Sequence, residues 1–163
     1  MNNLKVIEEF NRIKSIPYHI STHGEPSFDC EDKAKKFIEK AMELDYEARI
    51  RVGLFEWSIL PLPKSIMDIN HNKSCSHMFV EFKNKAGEWV FLDPTWNPEL
   101  ISAGFRITEW DGSGSTELGI PCYRILSPEE GNVYLKNIDY EKDIKENGIF
   151  YHAINEYCDS FIK

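Results

Sequence analysis

A thiol, an imidazole and a carboxylate that meet in a folded chain can carry nucleophilic acyl transfer. The imidazole takes the thiol proton, the sulfur attacks a carbonyl, and the carboxylate orients the ring. In this chain of 163 residues, Cys30 opens a helix-patterned stretch, His77 begins a strand-like run, and Asp93 ends the next one. They lie far apart in sequence, so only the fold can bring them together.

The elements that must position them are readable. Leu4, Ile7, Phe10 and Ile13 recur at helical spacing, and Pro17 closes that helix. Residues 18 to 28 are polar, with Gly24 and Pro26, and read as a loop. A second helix runs from Cys30 to Leu44, with Ala34, Phe37, Ile38, Ala41 and Met42 as its apolar stripe and Cys30 one turn ahead. Asp29, Glu31 and Asp32 crowd its first turn. Glu47 to Trp57 alternates as a strand, and Pro61 to Ser76 reads as a long loop.

A hairpin follows, with strands from His77 to Phe82 and from Glu88 to Asp93. With the turn centred on Lys85, His77 lies directly opposite Asp93. With Gly87 in the left-handed position of a three-residue loop, the two become diagonal neighbours on the same face. Contact with Cys30 additionally requires the second helix to pack its stripe across that face. Farther on, Tyr123 to Leu126 suggests a short strand and Ser127-Pro128-Glu129-Glu130 a helix start. Asn147-Gly148 reads as a stop before a terminal amphipathic helix through Phe150, Ile154, Tyr157 and Phe161.

The helix start favours a thiolate and offers free N–H groups to an oxyanion, while the flanking carboxylates oppose ionisation. The bland alternative for Cys30 is a small buried apolar residue. A net charge of −8 argues against nucleic acid and anionic membrane surfaces as partners. No stretch is apolar enough for a signal peptide or a membrane span. Cys30, Cys75, Cys122 and Cys158 are widely spread, which suggests reduced thiols and a cytoplasmic protein. The length suggests one domain over residues 1–163. No cofactor is implied. His71, Cys75 and His77 lack regular metal-ligand spacing, so no metal site is assigned.

The segments from Phe28-Asp29-Cys30 through Tyr46-Glu47-Ala48-Arg49, and from His77-Met78-Phe79-Val80-Glu81 through Leu92-Asp93-Pro94-Thr95, resemble the core of the transglutaminase-like superfamily. The resemblance covers Cys30 to Trp96, with its motifs in family order. It implies an α+β fold with a papain-like core, the cysteine-bearing helix packed on an antiparallel sheet. Carried over by position, Cys30 is the nucleophile, His77 the general base and then acid, and Asp93 the orienting carboxylate. The substrate would be a peptide, protein or other amide, cleaved by water or transferred to an amine. Animal transglutaminases have a Trp upstream of the cysteine, whereas here none precedes Trp57. Tyr18 and His19 are the alternatives near the site, and Trp96 is a candidate cleft wall. A binding module that keeps the fold without catalysis is the competing reading. Oligomeric state is not legible.

Overall fold

The computed structural model describes residues 2–163. It is a mixed helix and sheet structure around a four-stranded antiparallel sheet, in the order β3-β2-β1-β4. The strands are β1 (Ala48–Glu56), β2 (Ser74–Lys83), β3 (Trp89–Leu92) and β4 (Arg124–Ile125). The helices are α1 (Asn2–Lys14), α2 (Cys30–Glu43), α3 (Lys64–Met67), α4 (Pro128–Lys136) and α5 (Tyr140–Asp159).

Strand alternation gives β2 two different faces. Val80 and Phe82, with Val90 and Leu92 opposite, pack against Ala34, Phe37 and Ala41 of α2 and against Val6, Phe10 and Ile13 of α1. Burial of Phe37 or Phe82 contributes roughly 1.5–3 kcal/mol each. The other face carries His77, Phe79 and Glu81, with Phe91 opposite Glu81 and Phe55 opposite Cys75. Phe55 anchors a second core with Trp57, Trp96 and the Phe150–Ile154 stretch of α5.

The stripe of α2 therefore packs on the face opposite His77, not across it. Alternation could not choose, because β2 from His77 to Phe82 is buried on both sides. Leu4 and Met42, read as stripe residues, are exposed.

Asp29 caps α2 by accepting the Asp32 N–H at 3.2 Å, and Asp45 (φ 65°) closes it in the left-handed conformation. The hairpin loop carries Gly87 at φ 82°, the second of the two registers. Ser127 and Glu130 form a capping box at α4.

Two segments differ from the sequence reading. The supposed loop 61–76 contains α3 and the first residues of β2. Asn147-Gly148 does not stop a helix but lies inside α5. Asn147 is buried, donates to Asp143 one turn earlier and accepts the Asn72 N–H at 2.8 Å, so tertiary contacts override its weak propensity. Among the described residues, no helix is long and apolar enough to cross a membrane.

Candidate active site

The hairpin places Val80 opposite Leu92, so Asp93 lies one step past the last pair and His77 is its diagonal neighbour on one face. His77 Nε2 and Asp93 Oδ2 are 2.6 Å apart, and neither residue has any solvent exposure. Asp93 also accepts the Gly119 N–H on Oδ2 and both the N–H and the hydroxyl of Thr95 on Oδ1. Burial alone would raise its pKa, but the His77 charge and these donors hold it below the usual carboxylate range. An ionised carboxylate can only accept, so Nε2 donates the shared proton, and Nδ1 is the nitrogen left to exchange a proton with a neighbour. That Nδ1 is buried and has no hydrogen-bond partner.

Gly53 lies opposite His77 in β1, and a Cβ there would sit 2.5 Å from Cys122 Sγ. Only glycine lets the Cys122 side chain pack over the strand at this point.

Cys30 approaches from the other side of the sheet. It packs beside Val52 and Met78. Val52 gives its carbonyl to the Leu126 N–H at 2.9 Å, on the β4 side, so Met78 opposite it turns its own N–H away from β1. There β3 has already ended, leaving this end of β2 with a free edge. The Met78 N–H at that edge, next to His77 in the chain, faces the Cys30 sulfur and favours its thiolate. No thiol–imidazole hydrogen bond is formed.

Burial pushes the Cys30 thiol well up, and the Asp29 charge adds to it; the Met78 N–H opposes them. Asp29 itself is pushed up to about 6, chiefly by burial, with the Asp32 N–H opposing and the charges of Asp32 and Glu31 adding. The thiol is thus protonated at rest, and its ionisation needs a base.

Cys30 opens onto a cavity of about 280 Å³, walled by Tyr18, Asp29, Phe55, Met78 and Ile120 among others. Tyr18 is buried, its N–H donates to Asn97 Oδ1, and its ring packs on Trp96 at 4.5 Å. His19, one residue on, turns the other way and bonds Glu25 at 3.0 Å, outside the cavity. Trp96 lies behind Tyr18 and donates to Gly119 O, so it backs the wall without lining it. His71 stacks on Phe150 at 3.9 Å.

The residue with the largest unforeseen part is Lys33. Fully buried, its ammonium donates to the carbonyls of Lys14, Ile16 and Thr95. It ties the first turn of α2 to the segment before Tyr18 and to the segment after Asp93. Burial pulls its pKa down to about 7 against the Asp93 charge. One turn from Phe37 on the inward side of α2, its position in the helical period was the available signal.

No family model, curated protein or solved structure matches this chain.

Proposed function

We propose that this chain is a cysteine-dependent acyl hydrolase or acyltransferase with a transglutaminase-like, papain-like core. Cys30 is the nucleophile, His77 the general base and acid, and Asp93 the orienting carboxylate. The observation that carries this reading is the buried, unpartnered Nδ1 of His77. Its other nitrogen is held by Asp93, and the Cys30 sulfur faces the N–H of the next residue, Met78.

In the proposed reaction His77 Nδ1 takes the Cys30 proton as the sulfur attacks an amide or ester carbonyl. The oxyanion meets the free N–H groups at the start of α2, where the first-turn donors have no helical acceptor. Collapse expels the amine, which takes the proton from His77 and leaves a thioester on Cys30. Water, or a second amine, then gives a proton to Nδ1 as it attacks the thioester, and the Cys30 sulfur takes that proton back as the acyl group leaves. The substrate is a peptide, protein or other amide that fits the cavity at Cys30.

The raised thiol supports a second reading, a binding module in which Cys30 only lines the cavity. A p-nitrophenyl ester separates the two. The enzyme reading expects an acyl adduct on Cys30 by mass spectrometry, lost in Cys30→Ser and formed at least roughly a hundredfold more slowly in His77→Ala. No adduct, or one indifferent to His77, favours the module.

A further inference from the structure

We infer that the substrate attacked by Cys30 carries a cationic group, an alkylammonium or guanidinium, beside its acyl carbon. This rests on the proposed role of Cys30 and names the substrate class of that site.

The cavity is charged on one side only. Asp29, Glu31, Asp32 and Asp143 line it, and among the described residues no Lys, Arg or His does. Of the four, only Glu31 is ion-paired, with Lys35 at 3.1 Å. Asp143 is engaged by neutral donors, the Tyr151 hydroxyl at 2.8 Å and the Asn147 amide at 3.0 Å. Like charges gathered against low-dielectric walls focus a negative potential, which a bound cation relieves and a bound anion worsens.

A second observation is independent of the carboxylates. Tyr18 is only 4% exposed, lines the cavity beside Cys30, and its hydroxyl makes no hydrogen bond. A ligand N–H or carbonyl in the cavity would supply the partner this hydroxyl lacks. The remaining walls suit the same ligand. Trp57, Tyr140 and Tyr151 add aromatic surface, against which an alkyl stem packs and a cation is attracted.

The cavity's volume, about 280 Å³, suits a single side chain more than a second folded surface. A lysine- or arginine-like group joined to the scissile carbonyl satisfies these features together.

The test uses three methanethiosulfonates that differ in the charge they carry, ammonium, neutral or sulfonate, with modification at Cys30 followed by peptide mapping. Each attaches its head group to the sulfur in the place the substrate would take. The expected ammonium-over-sulfonate rate ratio at Cys30 is on the order of tenfold to a hundredfold above that of a small free cysteine amide. It falls severalfold in Asp32→Asn and Asp143→Asn. It is unchanged in Glu39→Gln, which removes an equal charge from an exposed position on α2. Asp32 and Asp143 are tested singly because Asp29→Asn also removes the charge that chiefly opposes ionisation of the Cys30 thiol. A ratio equal to that of the free thiol, or one that Glu39→Gln lowers as much as the cavity variants, overturns the inference. In parallel, His77→Ala is scored with the neutral reagent. A rate insensitive to His77 defeats the catalytic reading and leaves the charge ratio standing, so the two failures are told apart.

Discussion

Around Asp93 the nearby donors of His77, Thr95 and Gly119 each have an acceptor, Asp93 and His77 are fully buried, and the carboxylate is held in its charged form. Around Cys30 the balance is reversed. Burial and the Asp29 charge hold the thiol in its neutral form, and Asp29 is itself pushed toward its neutral form. One half is arranged for a charge it already has; the other is arranged against a charge it must acquire. Such a difference suits a thiol that stays unreactive until a substrate, with its own positive charge, enters the cavity.

The largest effect falls on the preformed half. Asp93→Ala leaves His77 Nε2, the Thr95 hydroxyl and the Gly119 N–H unpaired in the interior, so the expected loss is roughly 3–5 kcal/mol of stability by denaturant midpoint. Because the Asp93 pKa lies below its ordinary value, its contribution is present above the unfolded value near 3.8 and fades as pH falls through the folded one. An unchanged midpoint at neutral pH would remove the contrast between the halves.

Gly119→Ala tests how tightly that half is packed. The added Cβ would lie 2.9 Å from Trp96 Cδ1 and 3.3 Å from Asp93 Oδ2. The expected cost is about 1–3 kcal/mol, with slower acylation of Cys30 as the His77–Asp93 pair shifts.

Asp29→Asn probes the thiol half and should act in the opposite direction. The Asp29 folded value of about 6 lies above the ordinary 3.8, so stability is lost as pH rises through that window. The variant keeps a capping side chain and is expected to be ~1 kcal/mol more stable than the parent near neutral pH, after allowance for solvent screening. Below that window the two should converge. Its Cys30 should react severalfold faster with a neutral alkylating reagent, because the nearest opposing charge is gone. A slower thiol would show that Asp29 assists ionisation.

The smallest effect is expected at the hairpin. Gly87 sits at φ 82° with nothing near its missing Cβ, so Gly87→Ala should cost about 1 kcal/mol from backbone strain alone. Thermal unfolding measures this. If Cys30 acylation also falls sharply, the loop sets more of the site than its register.

Much of the fold was legible because the signals were local. The helix over 30–43 announced itself by its period and the acidic residues at its start, and α4 by the Ser127-Pro128-Glu129-Glu130 helix start. Asn147-Gly148 misled because a propensity for stopping yields to a buried amide with partners on both sides. His19 and Trp96 were chosen by proximity in sequence, but the first turns toward Glu25 and the second stands behind Tyr18.

By itself the sequence determined that His77 and Asp93 share a face, since pleat alternation and a three-residue loop ending in Gly87 are properties of neighbouring residues. Tertiary structure alone decided that α2 packs on the opposite face, and that Cys30 comes round the free edge where β3 stops. It also decided that Lys33 clamps three carbonyls beneath the site and that four carboxylates gather at one cavity. The reason is physical. β2 is buried on both faces, so its hydrophobic pattern is silent about which face meets a helix, and that choice emerges only when every element competes for the same core.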